Sequence, residues 1–239
     1  EADKDYHREN IIGEQLVGEG FSEIMNNSLT KSSYYEETEL NAYPWDETVK
    51  IMNPLSADLG VMRQTLLFGG LESIVRNINR KAQNLRFFEV GNVYKYNKEK
   101  WTEDSPVKAY IQKHHMALWV TGKHIQGSWA HPDEESSFYE LKAYVENILR
   151  RIGIAQGLLV YAKSDNNVFD KAIALKTRAG KTLVEMGILA HKLLKRFNIE
   201  QKVYYAELDW TGLMKVIRKN KLQFHEISKY PAVSRDLAL

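Results

Sequence analysis

The sequence predicts an α+β fold built on a largely antiparallel sheet flanked by helices. Three observations lead there. Candidate strands are mostly joined by hairpin-length turns, such as Arg178-Ala-Gly-Lys181. Amphipathic helical stretches fall between them at irregular intervals, unlike the regular alternation of a βαβ wind. Finally, 44% of the 239 residues are hydrophobic and 27% are charged, which supplies a core and excludes a disordered or fibrous chain.

The first helix is predicted over about Tyr6 to Glu19, with Ile12 and Leu16 on one face and Gly18 and Gly20 punctuating its end. Phe21 to Leu29 reads as a strand, Ser32 to Thr48 as a loop turning at Pro44, and Val49 to Met52 as a short strand closed by Asn53-Pro54. From about Gln64 to Arg80, Leu67, Leu71, Ile74, Val75 and Ile78 form a stripe at helical spacing. Gly69 and Gly70 sit near its start, each costing ~1 kcal/mol against Ala in a helix interior, so they point to a close backbone approach or a late helix start.

Leu85 to Tyr96 is a long strand rich in β-branched and aromatic residues, followed by a charged loop over Asn97 to Lys108. His115 to Thr121 is a strand, Gly122 to Ser136 an irregular loop, and Ser137 to Arg151 a helix opened by a Ser137/Glu140 capping box. Strands follow over Leu158 to Ala162, Ala172 to Thr177, Thr182 to Ala190 and Val203 to Trp210, with short helices over His191 to Phe197 and Thr211 to Lys219.

Charge and composition remove several function classes. With 33 basic and 31 acidic residues the formal net charge is +2, so no bulk charge advertises a nucleic-acid or membrane partner. The absence of cysteine excludes disulfide scaffolds, zinc–thiolate sites and thiol chemistry, and fits a reducing compartment. No apolar run approaches the ~20 residues of a membrane span. The chain lacks an initiator Met, and Ile227 to Leu239 reads as a strand beginning. It is therefore expected to be a fragment, with one domain over 1–225 and the start of another over 226–239.

The candidate chemistry is sparse. None of the seven histidines has HExxH spacing, and the adjacent His114 and His115 point to opposite faces of a strand, where they cannot share a metal. Gly18-Glu19-Gly20 follows a helix, whereas a phosphate cradle needs glycines after a strand and before a helix. Asp133-Glu134-Glu135 reads as a solvated turn rather than a cation site. Lys192, Lys195 and Arg196, with Arg218, Lys219 and Lys221, are basic clusters near helix ends. They could touch RNA phosphates, but complementing the helix dipole is their simpler assignment.

A second kind of signal lies in longer segments. Asn53-Pro-Leu-Ser-Ala-Asp-Leu-Gly-Val-Met-Arg63, then Leu66, Gly69 and Leu71, resembles a signature of the β subunit of bacterial phenylalanyl-tRNA synthetase. So does Asn79-Arg80 followed by Leu85-Arg-Phe-Phe-Glu-Val-Gly-Asn-Val-Tyr94. Gly20-Phe21-Ser-Glu23, Phe138-Tyr-Glu-Leu-Lys142 and Ala206-Glu-Leu-Asp209 fall where that family places similar segments. Ile227-Ser-Lys-Tyr-Pro-Ala-Val-Ser-Arg-Asp236 looks like the family's entry into a ferredoxin-like, anticodon-binding domain. Two departures stand out: Val168-Phe-Asp-Lys171 where a Leu-His-Pro-Gly segment is usual, and Tyr230 and Ser234 where Phe and Arg are common.

The resemblance implies a class II aminoacyl-tRNA synthetase-like core that pairs with a catalytic α subunit in an (αβ)2 assembly, charging tRNA(Phe) with phenylalanine in the cytoplasm. ATP and Mg would belong to the full enzyme. An active class II site resembles Phe-Glu-Ile followed by Phe-Arg-x-Glu, where Arg grips the ATP α-phosphate through its planar fork. Here the stretch reads Phe88-Glu89-Val90 and then Tyr94-Lys95-Tyr96-Asn97, with Lys95 for the Arg and Asn97 for the acid. No glycine-rich strand–helix element ending in Arg appears either. The expectation is a ligase subunit fragment with no catalytic, nucleotide-binding or metal residues of its own, inactive alone because phosphate charge lacks its partners. Ile12 and Leu16 are the candidate subunit-interface residues, with inward packing the equal alternative. A self-sufficient class II ligase and an RNA-binding module are the rival readings.

Overall fold

In a computed structural model the structure describes residues 2–36, 40–155 and 157–219. The expected boundary at 225/226, the segment Ile227 to Asp236, and Lys221 lie outside the described residues.

In chain order the elements are α1 (Ala2–Gly18), β1 (Ser22–Glu23), β2 (Leu29–Thr30), α2 (Ser33–Glu36), β3 (Val61–Met62), α3 (Leu67–Ile78), β4 (Leu85–Tyr96) and β5 (Tyr110–Thr121). They continue as β6 (Lys123–Ile125), β7 (Glu134–Glu135), α4 (Phe138–Arg151), β8 (Val160–Lys163), β9 (Phe169–Lys176), β10 (Thr182–Leu189), α5 (His191–Arg196), β11 (Val203–Asp209) and α6 (Trp210–Lys219). Seven strands form the main sheet in the order β1-β4-β5-β11-β10-β9-β8. Every pairing in it is antiparallel except β1 with β4.

Helices cover both faces, and the pleat sorts the side chains between them. Along β5, Met116, Leu118 and Val120 point to one core, where they meet α1, α4 and α6 through Leu16, Leu141, Val145 and Leu213. Ala117 and Trp119 point to the other, which is closed by α3, α5 and the 40–66 segment through Leu66, Leu71, Ile74 and Leu193. Ser137 caps α4 as expected, its Oγ accepting the Glu140 N–H at 3.3 Å.

Several expectations are corrected. The strand expected over Phe21 to Leu29 survives only as β1 and β2, and Val49 to Met52 contributes only an isolated bridge from Lys50 to Val61. Ser28 O instead accepts the Arg63 N–H, so this run turns away from the main sheet into a small ribbon. β5 begins at Tyr110, five residues before the expected His115, because it pairs with β4 along the whole length from Tyr96 to Leu85. The helix expected from Gln64 begins at Leu67, since Gln64 and Thr65 spend their side chains on other partners. Both alternatives for the paired glycines hold: the start is late, and a Cβ at Gly70 would overlap the Trp119 ring.

Candidate functional site

The two strongest segments of the resemblance meet in space. Arg63 comes from the signature loop and Glu89 from the middle of β4, and their side chains pair at 2.5 Å while almost fully buried. Arg63 Nε also donates to Asn92 O at 2.9 Å, and the Tyr94 N–H donates to Arg63 O at 2.8 Å. Asn26 Nδ2 donates to the second Glu89 oxygen at 2.7 Å. Gly91 makes room for this arrangement, because a Cβ there would overlap the Arg63 guanidinium.

A second carboxylate is buried on the same face. Glu207, on β11, accepts from Thr65 Oγ1 at 2.6 Å, Tyr205 Oη at 2.6 Å, Tyr43 Oη at 3.4 Å and the Leu66 N–H at 3.3 Å. His115 on β5 closes the set, with Nδ1 2.8 Å from Glu207 Oε1, so Nδ1 carries the proton. Burial pushes the Glu207 carboxyl up, but His115, Thr65 and Tyr205 outweigh it and leave the group below its ordinary value. Burial pushes the Tyr43 and Tyr205 phenols well up, with the Glu207 charge adding to it, so both remain donors. Gln64 ties the 44–48 loop over this cluster, donating to Thr48 Oγ1 at 2.7 Å and Pro44 O at 3.0 Å.

This arrangement fixes charge rather than moving it. A carboxylate held ionised by five donors is a poor proton acceptor near neutral pH, since each hydrogen bond favours the charged form. The aromatic side chains of Tyr43 and Tyr205 belong to the buried core on this face of the sheet. A groove of about 380 Å³ lies between residues 25–31, 58–65 and the start of α3, lined in part by Arg63 and Thr65.

The residues singled out by sequence separate. Lys95 Nζ pairs with Glu47 at 2.6 Å, on the loop that covers the sheet. Asn97 Oδ1 accepts the Glu99 N–H at 2.9 Å and caps a single 3₁₀ turn. His114 and His115 do point oppositely, toward Glu9 and Glu207 respectively. Asp133 is held by Lys123 at 2.6 Å and the Gly127 N–H at 2.6 Å, which lower its pKa. Ile12 and Leu16 are fully buried in this chain's own core, so inward packing is the alternative found. Sequence reasoning missed the roles of Arg63, Glu89, His115 and Glu207. The available signal was a carboxylate inside an apolar strand, as in Phe88-Glu89-Val90, because a buried charge requires a partner.

The comparisons with known proteins decide the family. A family model described as the phenylalanyl tRNA synthetase beta chain CLM domain matches residues 1–210. The chain belongs to this family. Over all 239 residues it is 52% identical to the phenylalanine–tRNA ligase beta subunit of Bacteroides thetaiotaomicron and 45% to that of Porphyromonas gingivalis. It spans 29% of the length of each of these relatives. A pyrrolysyl tRNA synthetase from Desulfitobacterium hafniense shares the fold, with a TM-score of 0.63 at 15% identity over 90% of this chain and 69% of that one. Membership of the CLM family agrees with the placement of its segments: Asn53 to Leu71 supplies Arg63 and the start of α3, and Leu85 to Tyr94 supplies Glu89 and Gly91.

Proposed function

We propose that this chain is the class II synthetase-like core of a phenylalanine–tRNA ligase β subunit. It works as a non-catalytic body that pairs with the α subunit in an (αβ)2 assembly for ATP-dependent charging of tRNA(Phe) in the cytoplasm. It binds no nucleotide or Mg itself. The observation that carries this reading is the Glu207 cluster. Thr65, Tyr43, Tyr205 and His115 each place a donor on that one carboxylate, which commits the polar groups at the middle of this sheet face largely to internal structure.

The surface offered to the α subunit includes the outer face of α1. With Ile12 and Leu16 inside, Tyr6 and Val17 are the large apolar side chains that this helix exposes, at 64% and 58%. An obligate subunit interface buries upward of ~2,000 Å² in total, so neighbouring elements would take part. Co-purification with the α subunit tests the reading, with ATP–pyrophosphate exchange measured for each chain and for the mixture. Capture of α with no exchange by this chain alone is expected. Exchange by this chain alone would replace the reading with a self-sufficient ligase.

A further inference from the structure

A two-stranded arm, β6 with β7, leaves the end of β5 where α1 and α4 come together. Its root is fixed to the body: the Lys123 N–H donates to Asn84 Oδ1 at 2.9 Å, and the Ser136 N–H donates to Gly122 O at 2.9 Å. One guanidinium then joins the arm to both helices. Arg86 donates to His124 O at 3.1 Å and to Glu19 O, just past the end of α1, at 3.3 Å. It also pairs with Glu140 of α4 at 3.1 Å. The arm therefore continues the surface of α1.

The tip is pinned from within. Asp133 accepts the Gly127 N–H at 2.6 Å and pairs with Lys123 at 2.6 Å, while the Ser128 N–H donates to His131 O at 2.8 Å across the turn. The turn closed in this way carries Trp129, which is 100% exposed. Ile125 on the arm and Tyr139 in the first turn of α4 are exposed as well.

Area argues for a protein partner that also meets α1. Tyr6 and Val17 are eleven residues apart, about three helical turns, so they share one side of that helix. Two side chains supply a small part of the ~2,000 Å² that an obligate interface buries. A Trp adds ~150–250 Å² at one point, and Trp is among the residues that most often dominate binding. A tip whose shape is set before contact also loses little conformational freedom on docking.

Charge narrows the partner further. From Lys123 to Glu135 one lysine stands against three carboxylates, and that lysine is spent on Asp133. Glu134 and Glu135 are exposed and form no ion pair among the described residues. Such a rim repels a phosphate backbone and complements a basic protein surface.

We infer that the β6–β7 arm is a docking element whose Trp129 inserts into an apolar socket of the α subunit, with Glu134 and Glu135 facing Lys or Arg at the socket's border. The choice of α rests on the proposed function and on the continuity of the arm with the outer side of α1.

The test is binding of the 239-residue chain to its α subunit, followed by biolayer interferometry. Trp129→Ala is expected to weaken binding at least ~tenfold, mostly through faster dissociation. Asp133→Ala unpins the tip and produces part of that loss. Trp101→Ala removes an exposed Trp beyond the other end of β4 and leaves affinity unchanged. Glu134→Lys with Glu135→Lys slows association, and less so as salt rises. Circular dichroism melts matching the parent's establish that each variant is folded. Equal binding of α by parent and Trp129→Ala, or faster association of the double lysine variant, overturns this inference and leaves the proposed function standing. A parent that does not bind α ends both. Sedimentation of the chain alone and anisotropy of a labelled tRNA transcript cover the other occupants. A dimer lost in Trp129→Ala would assign the tip to a second copy of this chain. RNA binding lost in that variant, with α binding intact, would assign it to RNA. Either result overturns the assignment to α.

Discussion

Gly70 on α3 lies flat against the indole of Trp119 on β5, so close that a β-carbon at position 70 would overlap the ring. This contact sets the distance between helix and sheet on the side that holds Arg63 and Glu207. Two effects oppose each other at Gly70→Ala. Helix propensity favours Ala by ~1 kcal/mol, while overpacking a filled core costs about 1–3 kcal/mol. Trp119 is fully buried, so overpacking is expected to win and the urea midpoint to fall. Combining it with Trp119→Phe should recover part of the loss; a midpoint above the parent's would show that the ring yields.

Arg63→Met leaves Glu89 buried without its cation, and breaking such a pair from one side costs about 3–5 kcal/mol. Glu89→Gln in the same chain removes the stranded charge. The double variant is therefore expected to be more stable than Arg63→Met alone, read by equilibrium denaturation. Additive losses in the double-mutant cycle would sink the coupling.

The Glu207 cluster predicts a loss of stability in acid. Its folded pKa lies below the ordinary value of 4.5, so the carboxylate's contribution is complete above 4.5 and is lost as pH falls through the folded value. Urea midpoints measured from about pH 7 to about pH 3 should drop over the acid end of that range. Glu207→Gln should start lower at neutral pH and show a shallower acid drop. Parallel pH curves for parent and variant would contradict the assignment.

The two faces of α1 should separate stability from assembly. Ile12→Ala and Leu16→Ala each open a cavity in the core, with an expected cost of about 2–5 kcal/mol. Tyr6→Ala and Val17→Ala act on exposed positions and should stay within ~0.5 kcal/mol. Capture of the α subunit should follow the reverse order: weakened by Tyr6→Ala with Val17→Ala, at unchanged melting temperature.

Local chemistry made much of this molecule readable. The β-branched and aromatic content of Leu85 to Tyr96 placed β4 to the residue, and Ser137 with Glu140 placed the start of α4. Those signals act over a few residues, so neighbours along the chain carry them. The run after Phe21 was misread because its apolar residues suit a strand, while the partner that would make it one is available only at Phe87 and Phe88.

The order of apolar and polar residues by itself determined the α+β class, the long β4 strand and the helical stripe of α3, because period and capping are properties of contiguous chain. Only the tertiary structure decided that Ile12 and Leu16 face inward, that β1 joins β4 in parallel, and that Arg63 reaches Glu89 past Gly91. Periodicity shows that a helix has an apolar face but not which surface covers it. Likewise a carboxylate such as Glu207 reveals its burial only when Thr65, 142 residues away, arrives to hold it.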